Sequence, residues 1–141
     1  MAVVSSLRAE RQAARRVLVV EDNLDSVQSM AMLIKMMGHQ CQFAINGFAA
    51  MDIARSFRPE IILLDIGLPD CQGYDVARQL KWEPGFEATR IIAITGLPNA
   101  DEVRQRSREA GIEEFYRKPL DPAALEQLLE GASAPQARGS F

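Results

Sequence analysis

Short apolar runs alternate with longer stretches of helical periodicity along most of the chain. The apolar runs are VLVV (17–20), CQFAI (41–45), IILL (61–64), IIAI (91–94) and IEEFY (112–116). Three of them are apolar at every position, which is typical of strands that are buried on both faces of a parallel sheet. The pattern therefore predicts five strands, each followed by a helix.

The stretches between the strands combine apolar residues at helical spacing with residues that favour helix ends. The first helix is predicted from about Leu24 to Met37, because Gly38 after it can adopt the left-handed conformation that ends helices. The other predicted helices start after Asn46, near Tyr74, near Asn99 and at Asp121-Pro122, and end near Phe57, Trp82, Gly111 and Gly131.

Five consecutive βα units predict an α/β fold of the flavodoxin-like class, a doubly wound parallel sheet of five strands in the order 2-1-3-4-5. A parallel crossover needs a helix and is right-handed, which leaves few other arrangements. In this class ligands bind beyond the carboxyl ends of the strands. The domain is predicted to span residues 16–131, between a flexible arm at 1–15 and a disordered tail at 132–141.

Composition narrows the class of protein further. The chain has 141 residues, 48% of them hydrophobic and 25% charged, with a net charge of −3. These values fit one globular domain and give no reason to expect a nucleic acid or an anionic membrane as partner. No apolar run approaches the roughly 20 residues of a membrane span, and the first residues lack the apolar core of a secretory signal. Cys41 and Cys71 are interpreted as reduced thiols, so a cytoplasmic protein is expected.

Polar residues of complementary chemistry follow four of the predicted strands. Glu21 and Asp22 follow strand 1, Asp65 follows strand 3, Thr95 follows strand 4 and Lys118 follows strand 5. Carboxylates brought close together raise one another's pKa unless a cation lies between them. A site made of oxygen ligands with few carboxylates suits Mg²⁺. One carboxylate could then attack phosphorus, while the lysine and the hydroxyl hold the phosphoryl oxygens.

Four motifs resemble the receiver domains of bacterial response regulators: EDN (21–23), LLDIGLPDCQGYDVAR (63–78), AITG (93–96) and KPLDP (118–122). The four motifs occur in the same order as in that family, and each lies at the end of a predicted strand. The resemblance implies a phosphoacceptor domain of a two-component phosphorelay, not an enzyme. Its partners would be a histidine kinase or phosphotransfer protein and a downstream protein. The part of the second motif from Asp65 to Arg78 is especially similar to receivers of hybrid histidine kinases, so fusion to a larger kinase chain is also an expected possibility.

The resemblance assigns a role to each residue of the expected site. Asp65 matches the phosphoacceptor and Lys118 the lysine that pairs with the phosphoryl group. Asp22 matches the direct Mg²⁺ ligand, and Glu21 the second acid, which often acts through water; glutamate is a tolerated variation there. Gly67 matches the position whose backbone carbonyl binds the metal.

The resemblance also implies a conformational switch. Thr95 matches the residue that provides the hydroxyl of the switch, and Phe115 matches its aromatic residue. Partners would recognise the change on the face formed by helix 4, strand 5 and helix 5. Tyrosine is common at position 115 in the family, and phenylalanine lacks its hydroxyl. Burial alone should therefore favour the inward rotamer, so the resting state is expected to be partly inward. The bond between Lys118 and Pro119 is expected to be cis.

Three other functions compete with this one. A receiver-like interaction domain that ignores phosphate usually lacks an acid or the lysine, and none is missing here. A haloacid-dehalogenase phosphohydrolase would carry a second aspartate two residues after the nucleophile, where this chain has Gly67. A flavodoxin would have a loop rich in Ser, Thr and Gly after strand 1, where this chain reads EDNLDS (21–26).

Three further polar residues are expected to have no role in the site. His39 is expected to be a loop histidine, Asp70 to face solvent, and Cys71 to be an ordinary thiol without redox function. Phe115 and Tyr116 should face opposite sides of strand 5, because successive side chains of a strand alternate.

Overall fold

The computed structural model describes residues 14–96, 100–130 and 139–140. All five predicted strands and all five predicted helices are present. The strands are β1 (Arg16–Val20), β2 (Gln40–Ala44), β3 (Ile61–Asp65), β4 (Arg90–Thr95) and β5 (Glu114–Arg117). The helices are α1 (Leu24–Met36), α2 (Gly47–Phe57), α3 (Gly73–Trp82), α4 (Ala100–Glu109) and α5 (Pro122–Leu129). None of the helices in the described part of the chain is both long and apolar enough to cross a bilayer.

The five main strands are parallel and lie in the order β2-β1-β3-β4-β5, which confirms the predicted topology. A sixth strand, β6 (Gly139–Ser140), pairs antiparallel with β5 through Glu114 and Phe115. It lies within the predicted disordered tail, and no periodicity in the sequence indicated it. The rest of that tail and residues 1–13 of the predicted arm lie outside the described residues.

Side-chain caps and glycines set the ends of the helices. The side chain of Asn23 accepts a hydrogen bond from Ser26 N at the start of α1, and that of Asn46 accepts one from Ala49 N at the start of α2. Gly38, after α1, has a φ of 96°, the left-handed conformation that was predicted for it. The predicted start of helix 4 near position 99 falls outside the described residues.

The core has two halves, one on each face of the sheet. In β1, Val17 and Val19 pack on one face with α1 and α5, while Leu18 and Val20 pack on the other with α2, α3 and α4. All five residues of β3 are buried, as its continuous apolar pattern predicted. In β5, Phe115 belongs to the second half and Tyr116 packs against the first, so their predicted alternation is confirmed.

Arg15, at the end of the predicted arm, connects the amino end of the sheet to α5. The guanidinium of Arg15 donates hydrogen bonds to the carbonyls of Leu129 (2.7 Å) and Glu130 (3.1 Å) at the end of α5. The backbone N–H of Arg15 donates to Nδ1 of His39 at 3.0 Å. His39 does lie in a loop, but it is buried with only 8% of its surface exposed. A cation at a helix carboxyl terminus is favourable, so these contacts anchor the chain where the domain begins.

The buried imidazole leads to a prediction about pH. Burial, and next the charge of Arg15, hold the pKa of His39 below its ordinary value of 6.5, and Glu60 opposes them. The unfolded chain therefore takes up the proton first, so this contribution to stability is complete above pH 6.5 and is lost as the pH falls below it. We expect the unfolding free energy of the wild type to fall more steeply in that range than that of His39→Gln. Urea unfolding of both proteins above and below pH 6.5 tests this. An equal fall of the unfolding free energy in the two proteins would refute it.

Candidate functional site

The carboxyl ends of β1, β3 and β5 bring four charged side chains together. Glu21 and Asp22 follow β1 directly, Asp65 is the last residue of β3, and Lys118 follows β5. One carboxylate oxygen from each of Glu21, Asp22 and Asp65 lies within 4.8 Å of the others. The exposure differs, since Asp65 is buried and Asp22 is exposed. The arrangement gives a compact acidic cluster that opens to solvent on the side of Asp22.

Lys118 bridges two of the three acids. Its Nζ lies 2.6 Å from Oε1 of Glu21 and 2.9 Å from Oδ2 of Asp65. Its backbone N–H donates to the carbonyl oxygen of Thr95 at 2.9 Å, which ties this residue to the end of β4. The peptide bond between Lys118 and Pro119 is cis, as was predicted.

The charges of this cluster do not balance, because one lysine faces three carboxylates. Burial, and next a hydrogen bond shared with Asp65, raise the pKa of Glu21 to about 7, although Lys118 lowers it. Burial also lowers the pKa of Lys118, but its contacts with Glu21 and Asp65 outweigh this and raise the value overall. Oε2 of Glu21 is buried and accepts no hydrogen bond from the described residues. A hard divalent cation, which prefers oxygen ligands, would neutralise this set and give that oxygen a partner.

The loop after β3 is folded closely over Asp65. Gly67 N donates to Oδ1 of Asp65 at 3.1 Å, and Gly67 forms a β-bridge with Gln72. Gly73 N donates to the carbonyl of Ile66 at 2.7 Å. A Cβ on Gly73 would lie 2.5 Å from the backbone oxygen of Asp65, so glycine is required for this approach. The turn thus fixes Oδ1 of the Asp65 carboxylate, while Oδ2 faces Lys118.

Asp70, in the same loop, has a role that its sequence position did not predict. It is exposed, as expected, but its carboxylate accepts hydrogen bonds from Gly47 N (2.8 Å) and Phe48 N (2.9 Å) at the start of α2. These bonds hold its pKa below the ordinary value. Burial, and next the charge of Asp70, raise the pKa of the adjacent Cys71.

The two residues expected to form a switch lie on β4, which pairs with the strand that ends in Asp65, and on β5, the strand beyond it. Thr95 ends β4 and is 1% exposed, and Phe115 in β5 is 5% exposed. The register pairs Asp65 with Ile94, and Ala93 with Phe115. The side chain of Phe115 is buried in the core, and the guanidinium carbon of Arg104 from α4 lies 5.8 Å from its ring centroid.

A cavity of about 740 Å³ opens beside the acidic cluster. Its polar end is formed by the cluster, and its other walls include the apolar side chains of Met30 and Leu33 from α1 and of Leu120 after β5. The carboxylates can thus be reached from solvent along a partly apolar groove.

Comparison with known proteins places this geometry in a family. Residues 17–130 match the family described as the response regulator receiver domain. The polar-differentiation response regulator DivK of Brucella anthropi is 35% identical over 116 residues, which cover 81% of this chain and 93% of that protein.

Solved structures agree with this match. The chemotaxis response regulator CheY4 of Vibrio cholerae superposes with a TM-score of 0.78 at 21% identity, over 84% of this chain and 98% of that one. The receiver domain of a histidine kinase from Syntrophus aciditrophicus superposes with a TM-score of 0.74 at 29% identity, over 86% and 94%. The first likeness concerns the fold alone. With the family match over most of its length and a sheet of the predicted order, the chain belongs to the response regulator receiver domains of two-component signalling.

Proposed function

We propose that Asp65 accepts a phosphoryl group from a histidine kinase or a phosphotransfer protein. The observation that carries this proposal is the position of its carboxylate, which lies at the buried end of the central strand, 2.9 Å from Nζ of Lys118 and within 4.8 Å of two further acids. This is a nucleophile with a fixed orientation, next to a cation that can receive phosphoryl oxygens.

Each residue of the cluster has a different role in the proposed transfer. An oxygen of Asp65 forms the new bond to phosphorus, while the bond from phosphorus to the donor nitrogen breaks and its electron pair stays on the donor imidazole. Lys118, released from Glu21 and Asp65, pairs with the incoming oxygens. Mg²⁺ would be held by Asp22, Asp65 and the carbonyl of Gly67, with Glu21 acting through water, and it would neutralise the charge that collects there.

The phosphoryl group is proposed to act on the face formed by α4, β5 and α5. It adds up to about two negative charges and new acceptor oxygens beside the end of β4. The Thr95 hydroxyl can donate to them by moving toward Asp65, and this motion would enlarge the space available to Phe115. Since Phe115 is only 5% exposed already, the proposed response is a shift of population and not an all-or-none change, because a ligand moves an equilibrium only by its differential affinity.

The partners that we propose are proteins of the cytoplasm and not nucleic acids. The net charge is −3, and the groove beside the acids has apolar walls that suit a protein surface. The second candidate function, an interaction domain independent of phosphate, is less well supported, because no acid or lysine of the cluster has been replaced.

Labelling with a small acyl phosphate tests the proposed function. With Mg²⁺ present, the wild type is expected to gain the mass of one phosphoryl group, and Asp65→Asn is expected to gain none. Asp52→Asn serves as the matched control, since it removes an exposed carboxylate of α2 that does not line the cavity beside the cluster. Equal labelling of the wild type and Asp65→Asn would exclude Asp65 as the acceptor.

The switch is tested separately by NMR with beryllofluoride and Mg²⁺ as the phosphoryl mimic. Amide signals of residues 100–117 and the ring signals of Phe115 are expected to shift when the mimic is added. A part of the protein is expected to show the active-state signals before the addition. Changes confined to the neighbours of Asp65 would contradict the switch and favour the second candidate function.

A further inference from the structure

The side chain of Arg106 attaches α4 to the loop after Asp65. The guanidinium of Arg106 donates a hydrogen bond to Oε1 of Gln72 at 2.6 Å. The same group lies over the ring of Tyr74, with 4.4 Å between its carbon and the ring centroid. Glu102, one turn earlier on α4, lies 3.9 Å from it. Arg106 therefore holds both the last loop residue and the first turn of α3.

The other end of this connection is the acidic cluster itself. Gln72 is bridged to Gly67, whose N–H donates to the carboxylate of Asp65. Gly73, the next residue, is bonded to Ile66 and has no room for a side chain against Asp65. A displacement of Gly67 or Asp65 can therefore act on Gln72 through the bridge and on the start of α3 through the close contact of Gly73 with Asp65. Gln72 and Tyr74 are the two residues that Arg106 holds.

This connection is distinct from the one through β4 and β5. Tyr74 is 2% exposed and belongs to α3, whereas Phe115 belongs to β5 and contacts Arg104 instead. Two arginines of α4 therefore lie on two different rings, and of these two Arg106 is the one that reaches the loop that carries Gly67. The contact can matter for coupling without contributing much to stability, because the side chain of Arg106 is 42% exposed and exposed polar contacts are weak.

We propose that Arg106 is a positioning residue that couples the metal-binding and phosphoryl-binding loop directly to α4, independently of Thr95 and Phe115. This inference rests on the proposed function. Occupation of the cluster changes the position of Gly67, and Gln72 transmits the change to Arg106 and hence to α4. The face that meets a partner would then respond to the metal alone as well as to the phosphoryl group.

The test compares Arg106→Gln with Arg108→Gln, which removes an exposed arginine from the same helix. Amide NMR shifts of residues 100–109 are recorded on addition of Mg²⁺ alone and then of beryllofluoride, and melting curves confirm that both variants fold. In Arg106→Gln the response of α4 to Mg²⁺ is expected to fall at least about twofold, within the range for residues that carry coupling. The ring signals of Phe115 should still respond to beryllofluoride, and Asp65 should still be labelled. Arg108→Gln should behave as the wild type.

Two further variants sharpen the test. Gln72→Leu should reproduce the loss, and combining it with Arg106→Gln should add nothing, because the two residues act through one contact. Arg106→Lys keeps the charge over Tyr74 but loses the forked donor, so it should restore only part of the response. An unchanged α4 response in Arg106→Gln, or no response in the labelled wild type, would overturn the inference. Failure of the wild type to become labelled would instead overturn the proposed function.

Discussion

Asp22→Ala is expected to abolish measurable Mg²⁺ binding while the fold survives. Asp22 is the exposed member of the three acids whose oxygens lie within 4.8 Å of one another. Removal of a direct ligand should cost more than the roughly 10- to 100-fold that the loss of supporting groups costs. The repulsion among the remaining acids decreases at the same time, so the metal-free variant should be as stable as the wild type or more stable.

Asp25→Ala provides the control for this experiment. Asp25 is an exposed acid in the first turn of α1, so the change in net charge is the same. Calorimetric titration with Mg²⁺ should show binding to the control and none to Asp22→Ala, and thermal unfolding without metal should rank Asp22→Ala at or above the wild type. Retained Mg²⁺ affinity would show that Asp22 is not a metal ligand, and a clearly lower melting temperature without metal would contradict the expected relief of repulsion.

Gly73→Ala is expected to destabilise the protein and to weaken phosphorylation together. Its Cβ would lie 2.5 Å from the backbone oxygen of Asp65 and 2.9 Å from Cα of Ile66, and backbone atoms cannot move aside as a flexible side chain can. Overpacking of this kind costs up to about 3 kcal/mol, whereas alanine gains about 1 kcal/mol over glycine in a helix. The clash dominates, and the unfolding free energy should fall by about 2 kcal/mol.

The matched substitution is Gly96→Ala, because a Cβ there meets no atom of the described residues within 4 Å. Its unfolding free energy in urea should stay within about 0.5 kcal/mol of the wild type. The labelling of Gly73→Ala should be slowed, since the displaced strand end carries the nucleophile. If Gly73→Ala were as stable as Gly96→Ala, the close packing of the loop on Asp65 would be wrong, and the direct coupling to α4 would lose its basis.

Local patterns in the sequence were sufficient to predict the fold and the place of the acidic cluster. β3 is apolar at four successive positions and ends in Asp65, which marks a central buried strand and the residue at its carboxyl end. In a parallel sheet the carboxyl ends of neighbouring strands share one edge. The strand order alone therefore brings Glu21, Asp22 and Lys118 to the same place, without any knowledge of side-chain contacts.

The contacts that no local pattern predicted all join distant parts of the chain. Asp70 caps a helix that begins 23 residues earlier, Arg106 reaches a glutamine 34 residues before it, and Arg15 binds the carbonyl of Leu129 across 114 residues. Each depends on which surfaces meet after folding, and the residue types involved are common on any exposed helix or loop. β6 was missed for a related reason, since two small residues carry no strand periodicity and pair only because the edge of β5 is available.

The most direct test of the central claim is to locate the phosphoryl group on the chain. The wild type is labelled with an acyl phosphate in the presence of Mg²⁺, the acyl phosphate is trapped by borohydride reduction, and the peptides are mapped by mass spectrometry. The proposed function requires the modification at Asp65 alone, and its loss when Mg²⁺ is chelated. Modification of Glu21, Asp22 or Asp70 instead, or of Asp65 to the same extent without Mg²⁺, would contradict it.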